Sequence, residues 1–188
     1  MINPIHYKIH LEPDLNRFQF SGHAEIQLDL GEPTDEIFLN VPDMTVHGCQ
    51  MKMGEALSDC SFDVDPEKEM LKITLSEEMS GLVLVHVTFT GQINDKMAGF
   101  YRSRYKEGNE WKTLAVSQFE ESDARRAFPC LDHPSKKATF DIELVIDQNL
   151  TAISNAPIQD EIQLEDGKKR VVFERTPKMS TYLVFISV

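Results

Sequence analysis

Residues 18–30, FQFSGHAEIQLDL, predict a β-strand more clearly than any other segment of this chain. The even-numbered positions are apolar or small, and the odd-numbered positions are mostly polar. Because successive side chains of a strand point to opposite faces of a sheet, this alternation predicts a long strand with one buried face. The residues on that face are Phe18, Phe20, Gly22, Ala24, Ile26, Leu28 and Leu30.

Strand patterns recur along most of the chain. Residues 82–89, LVLVHVTF, predict a strand buried on both faces, and residues 138–146 alternate again. Further strands are predicted over residues 7–11, 36–41, 70–75, 111–119, 170–174 and 181–188. Asp166 and Gly167 favour a tight hairpin turn. A single helical turn is predicted over residues 121–126, with Ser122 as a possible cap. We therefore predict an all-β fold, either two packed sheets or one large curved sheet.

Composition narrows the class of protein. The chain has 188 residues, which suits a single domain, and a net charge of −12, which argues against nucleic acid and anionic membranes as partners. Cys49, Cys60 and Cys130 lack the paired spacing of a disulfide framework or a zinc knuckle.

The amino terminus lacks the pattern of a signal peptide, so a cytoplasmic location is expected. Because residues 181–188 are apolar, we expect the chain to stop at a domain boundary.

No metal or nucleophile motif is evident. His6 and His10 have the spacing of a zinc-protease pair, but four residues of a strand span roughly 13 Å, too far for one metal. The motif His-Glu-x-x-His is absent from the sequence, as is Gly-x-Ser-x-Gly. Cys130 lies beside a proline in an apolar setting, which is typical of a packed core thiol. The sequence therefore predicts no metal site and no catalytic residue in this chain.

Residues 117–134, SQFEESDARRAFPCLDHP, hold the most specific arrangement of polar groups. Gln118 and Glu120 are two residues apart at a predicted strand end, so both side chains should face the same way. Glu120 could receive a substrate ammonium group or could be an ordinary solvated glutamate. The charged residues that follow predict a salt-bridged network that holds the turn in place: Asp123, Arg125, Arg126 and Asp132.

The same segment resembles the amino-terminal domain of the aminopeptidase-N family of zinc metallopeptidases, which includes puromycin-sensitive enzymes and leukotriene hydrolase. The matching residues are Gln118-Phe119-Glu120, Asp123-Ala124-Arg125-Arg126, Phe128-Pro129-Cys130, Asp132, Pro134 and Lys137-Ala138-Thr139-Phe140. Residues 99–103 and 179–183 match as well, so the resemblance covers essentially the whole chain. Ser117 and His133 depart from the family pattern, which has Thr and Glu at these positions.

The resemblance implies that residues 1–188 are one saddle-shaped, amino-terminal β-domain of a larger enzyme, packed on a catalytic domain absent from this chain. It implies that Glu120 binds the free α-amino group of a peptide and that Gln118 lines the pocket for the first side chain. The ligands of the Zn²⁺ ion and the catalytic glutamate are expected beyond residue 188. This chain alone is therefore expected to be inactive.

Two alternatives remain at this stage. Some relatives with this fold lack activity, so the chain could be a non-catalytic β-domain that serves as a protein-interaction scaffold. A sugar-binding sandwich is less favoured, because Trp111 is the only tryptophan. If the chain packs on a catalytic domain, we expect it to expose an apolar face that includes Phe119 and Phe128.

Overall fold

The strand predicted at residues 18–30 is part of a longer strand in the computed structural model, which describes residues 1–53 and 56–188. The strands are β1 (Ile2–Asp14), β2 (Gln19–Asn40), β3 (Met44–Met53), β4 (Ala56–Asp59), β5 (Ser61–Asp65), β6 (Met70–Gln92), β7 (Gly99–Glu107), β8 (Glu110–Gln118), β9 (Thr139–Asp147), β10 (Ile153–Ser154), β11 (Ile158–Gln163), β12 (Lys168–Phe173) and β13 (Ile186–Ser187). Short 3₁₀ turns occupy Ala124–Arg126, Glu165–Gly167 and Thr181–Leu183. The predicted all-β fold is confirmed. Within the described ranges, no helix is long and apolar enough to cross a membrane.

The strands form two sheets. The large sheet has nine strands in the order β11-β12-β9-β1-β2-β6-β3-β4, with β5 also paired to β6. It is mixed, because β1 and β9 run parallel while its other neighbours are antiparallel. The smaller, antiparallel sheet has four strands in the order β10-β13-β8-β7. The structure therefore has two sheets, one of which holds most of the strands.

β2 and β6 are long enough for different strands to pair along their length, which is how one sheet contains nine strands. The first part of β2 pairs with β1 and with the second part of β6, from Gly81 onward. The register shifts between Leu30 and Glu36, and the last residues of β2 then pair with residues 70–74. Those residues of β6 also pair with β5. On one side of the shift β2 and β6 are flanked by β1 and β3, and on the other side β6 is flanked by β5.

The alternation in β2 decides which face is buried. Phe20, Ala24, Ile26, Leu28 and Leu30 are all at most 2% exposed, as the pattern predicted. Phe18 was placed on this face wrongly, because it precedes β2 in a turn with φ of 54° and is half-buried, as is Gly22. Gly91 faces Phe20 across the strand pair, and a Cβ atom at Gly91 would lie 2.3 Å from the Phe20 ring. The missing side chain of Gly91 thus leaves the space that the Phe20 ring occupies.

The predicted exposure of Phe119 and Phe128 is wrong. Phe119 is 1% exposed and Phe128 is 0% exposed. The ring of Phe128 lies 6.0–6.4 Å from the rings of Phe119, Tyr7 and Phe140, in the tilted and edge-on arrangements that aromatic pairs prefer. These rings bring the turn after β8 against β1 and β9, and burial in this aromatic cluster explains why neither phenylalanine reaches the surface.

Three local predictions also need correction. Residues 82–89 form a strand with one buried face rather than two, because Leu82 is 66% exposed and Thr88 is exposed. Residues 181–188 form a 3₁₀ turn followed by the short strand β13, because the buried hydroxyl of Thr181 is bound to Asp132 and holds the chain in a turn. The predicted helical turn is a 3₁₀ turn whose cap position is Asp123 and which has no side-chain cap bond, so Ser122 is not the cap. The hairpin turn is confirmed, since Asp166 and Gly167 have φ of 61° and 72°.

Candidate functional site

The end of β8 positions the two polar residues singled out from the sequence. Gln118 is the last residue of β8 and pairs with Gly99 of β7. Phe119 follows and is buried, whereas Gln118 and Glu120 on either side of it are exposed. The peptide bond between Glu120 and Glu121 is cis. The structure thus fixes the backbone at Phe119 and presents both polar side chains to solvent.

The side chains of Gln118 and Glu120 are not bonded to other side chains among the described residues. In the part of the chain that the structure describes, Gln118 and Glu120 form no side-chain hydrogen bond, and Glu120 forms no ion pair. A groove of about 700 Å³ at the ends of β1, β2 and β6 is lined by Asp43 but by neither Gln118 nor Glu120. The Glu120 carboxylate is therefore free to bind a cation from outside this chain.

A buried ion pair holds the turn that follows Glu120. The side chain of Asp132 is 1% exposed and accepts hydrogen bonds from Nε of Arg125 at 3.1 Å and from the backbone N–H of Arg125 at 3.2 Å. Its other oxygen accepts a hydrogen bond from the Thr181 hydroxyl at 2.6 Å. The backbone N–H of Asp132 donates to the side chain of Asn40 at 3.0 Å. The turn is thus tied to β2 and to the last residues of the chain.

A second, more exposed network centres on Arg126. Its Nε donates to Asp123 at 2.8 Å, and its two terminal nitrogens reach Asp43 and Glu69. The hydrogen bond to Asp123 and the nearby charges of Asp43 and Glu69 raise the pKa of Arg126. A Cβ atom at Gly99, whose φ is +70°, would lie 2.9 Å from Cβ of Arg126. The backbone of Gly99 therefore lies close against Arg126. Because Gly99 pairs with Gln118, this close approach joins the turn to the strand end that carries Gln118.

The predicted salt-bridged network is confirmed, but two of its members were missed. Glu69 bonds to both Arg125 and Arg126, and Asp43 bonds to Arg126. Glu69 and Asp43 have φ of 54° and 53°, so each lies at a sharp bend between strands. They are far from the motif in sequence, and their only local signal is an acidic residue in a predicted loop.

Cys130 is a core residue, as expected. It is 0% exposed, and its backbone exchanges hydrogen bonds with Asn40. Burial, with a smaller contribution from Asp132, raises the pKa of its thiol. A buried thiol of raised pKa is neither a nucleophile nor a ready metal ligand. Cys130 therefore fixes the turn against β2 rather than taking part in chemistry.

His6 and His10 have separate partners on the outer face of the large sheet. His6 contacts Asp141 at 3.1 Å and Thr139 at 2.8 Å, whereas the ring of His10 stacks on that of His23 at 4.7 Å. Among residues 1–53 and 56–188, no group of three His, Cys, Asp or Glu side chains is arranged to hold a metal ion. The residues described here therefore do not fit a zinc site.

Comparison with known proteins gives one consistent result. The family described as "Peptidase M1 N-terminal domain" matches residues 3–183. The chain is 40% identical to the puromycin-sensitive aminopeptidase of Caenorhabditis elegans over 98% of its length, and 40% identical to aminopeptidase M1 of Arabidopsis thaliana over 98%. It is 40% identical to the mitochondrial aminopeptidase 2 of Saccharomyces cerevisiae over 96%. The chain spans only 19–22% of the length of these relatives.

Proposed function

The chain belongs to the family of peptidase M1 N-terminal domains, and from this premise we propose that it is the substrate-anchoring domain of a zinc aminopeptidase. In this proposal Glu120 binds the α-amino group of a peptide, and Gln118 lines the pocket for the first side chain. The observation that carries the proposal is an exposed carboxylate without a partner among the described residues, on a turn held by the Arg125 and Arg126 networks.

A fixed carboxylate explains removal of residues from the amino terminus. A free peptide carries an ammonium group only at its first residue, and an ion pair with Glu120 would fix the distance from that group to the first peptide bond. An internal peptide bond offers no ammonium group, so the carboxylate would lose its solvation without gaining a partner. Glu120 would therefore select both the end of the peptide and the bond to be cleaved.

The rest of the site would come from the remainder of the enzyme. Gln118 is exposed and lines neither the groove beside Asp43 nor the one beside His6, so we propose that the catalytic domain supplies the rest of the pocket. The zinc ion would be held by that domain, where it would activate water for attack on the first peptide bond. We propose that this chain alone has no peptidase activity. The cytoplasmic location expected from the sequence stays a prediction.

Replacing Glu120 with alanine in the intact enzyme tests the role of the carboxylate. We expect Glu120→Ala to lower kcat/KM for aminoacyl substrates by about 30- to 1000-fold, which corresponds to about 2–4 kcal/mol of transition-state binding. The reason is that the substrate ammonium group would lose its charged partner.

The matched control is Glu121→Ala, which removes the same charge from the neighbouring exposed residue. This variant should retain kcat/KM within a few-fold of the wild-type value. Equal losses in both variants would mean that general negative charge, and not the position of Glu120, supports activity. Near-normal cleavage by Glu120→Ala would remove Glu120 from the site.

A further inference from the structure

Cys49 and Cys60 lie opposite each other in the large sheet. β3 and β4 pair in the register Gln50 to Asp59, and the next step of that ladder brings the two cysteines together. The backbone N–H of Cys60 donates to the carbonyl of Cys49 at 2.9 Å. The cysteines therefore lie opposite each other one residue beyond the paired part of β4, joined by one backbone hydrogen bond, close to the arrangement of a hydrogen-bonded antiparallel pair.

The two side chains point to the same face of the sheet. Cys49 is 2% exposed and belongs to the hydrophobic core. Cys60 is half-buried and packs against that core, whereas Asp59 and Ser61 on either side of it are exposed. Directly opposed residues of antiparallel strands share a face, so the thiols occupy neighbouring space.

The spacing of such a pair permits a covalent bond. The Cα atoms of a hydrogen-bonded antiparallel pair are about 5.5 Å apart, and disulfides form across Cα separations of about 4.4–6.8 Å. Both cysteines are free thiols in the structure. We propose that Cys49 and Cys60 are a thiol pair that forms a disulfide reversibly. Cys60, the more exposed of the two, would react first with a small disulfide oxidant such as oxidised glutathione.

The reaction proceeds in two exchanges. The Cys60 thiolate attacks one sulfur of oxidised glutathione, the sulfur–sulfur bond of the oxidant breaks, and one glutathione leaves as a thiolate. The Cys49 thiolate then attacks the Cys60 sulfur of the mixed disulfide and releases the second glutathione. The chain loses two protons and two electrons, and one glutathione disulfide becomes two thiols.

Burial makes this pair slow to react. Burial and the neighbouring Cys60 raise the pKa of Cys49 to about 12, and burial together with Asp59 raises the pKa of Cys60. The attacking thiolates are therefore scarce near neutral pH. Oxidation should follow sustained rather than brief exposure to the oxidant.

The closed bond should be easily reduced. Opposed Cβ atoms in a hydrogen-bonded pair lie about 5.5 Å apart, whereas a disulfide prefers about 3.8 Å, so the strands must move closer before the bond can close. A disulfide that holds its strands away from their relaxed spacing is more readily reduced. Formation and reduction of the disulfide would thus change the spacing between β3 and the end of β4.

Mass mapping of the oxidised chain tests the pair. The folded, reduced chain is incubated with oxidised glutathione at mildly alkaline pH, the remaining thiols are alkylated, and the digest is analysed without reductant. We expect a peptide linking Cys49 to Cys60 as the main oxidised product. Dithiothreitol should restore both thiols, and Cys130, which is 0% exposed, should be alkylated only after unfolding.

Two variants keep the result interpretable. Cys60→Ser should abolish the cross-link, and Cys130→Ala should leave it unchanged. A stable glutathione adduct on Cys60 with Cys49 still reduced would overturn the proposal, because it would show that the buried thiol cannot reach its partner. Three free thiols after prolonged oxidation, or cross-links shared equally with Cys130, would overturn it as well.

Discussion

Asp132 supports the candidate site without belonging to it. Its carboxylate is almost fully buried, and it has three hydrogen-bond donors, two from Arg125 and one from Thr181. Charge-assisted hydrogen bonds in a protein interior are strong, and a buried charge that loses its partner is costly. The position of the turn after Glu120 therefore depends on a residue that the substrate would never contact.

Removing the charge of Asp132 should destabilise the fold. We expect Asp132→Asn to lower the free energy of unfolding by about 2–3 kcal/mol, because Glu69, at a longer distance, is then the one carboxylate left beside the half-buried guanidinium of Arg125. The hydrogen bond from Arg125 to the backbone carbonyl of residue 132 does not replace the lost charge. Urea denaturation followed by tryptophan fluorescence or circular dichroism measures this change.

Asp123→Asn is the matched control. Asp123 is 26% exposed, and its partner Arg126 keeps two other carboxylates, Asp43 and Glu69. The loss should stay below about 1 kcal/mol. If the two variants lose the same stability, the burial of the Asp132 ion pair is not what holds the turn.

At the scale of elements, the sequence predicts strands best where one face is strictly apolar. The pattern in β2 located its buried face correctly at Phe20 through Leu30. The strands β3, β4, β5, β7 and β10 were not predicted. In β7, the side chains from Arg102 onward are half-buried or exposed. Residues 57–63, which include most of β4 and β5, are mostly exposed, so neither region shows an alternation of apolar and polar residues. Their strand pairing comes from neighbours in the sheet, which local sequence does not encode.

The outer face of the large sheet carries a histidine cluster that links stability to pH. Burial lowers the pKa of His6 and of His10, with Arg175 and His23 as further causes. An unfolded histidine titrates near its ordinary pKa of about 6.5. As the pH falls below this value, the unfolded chain binds protons that the folded chain resists, so stability falls.

We therefore expect the free energy of unfolding to decrease as the pH is lowered from about 7 to 5. In His10→Gln this decrease should be shallower, because one of the two histidines has been removed. Thr88→Ala, an exposed and non-titrating change in the same row of the sheet, should keep the wild-type slope. Urea titrations at several pH values measure the slopes, and an unchanged slope in His10→Gln would contradict the role of burial.

At the scale of the whole molecule, the motif around Glu120 predicted more than the strand patterns did. It identified the family and the charged network, both of which are confirmed. It did not reveal that Phe119 and Phe128 are buried, or that Asp43 and Glu69 complete the network. Those contacts bridge segments far apart in sequence, because Phe128 packs on β1 and β9 and the acidic residues lie at the bends beside β2 and β6.

A comparison of two substrates in two enzymes tests the role of Glu120 most directly. The substrates are an aminoacyl compound and its analogue in which hydrogen replaces the α-amino group, and the enzymes are the intact parent and its Glu120→Ala variant. The ratio of kcat/KM between the two substrates reports binding of the ammonium group alone. If Glu120 binds that group, the variant should lose about 30- to 1000-fold of the preference for the free amine. An undiminished preference in the variant, even with a lower overall rate, would contradict the proposed anchor.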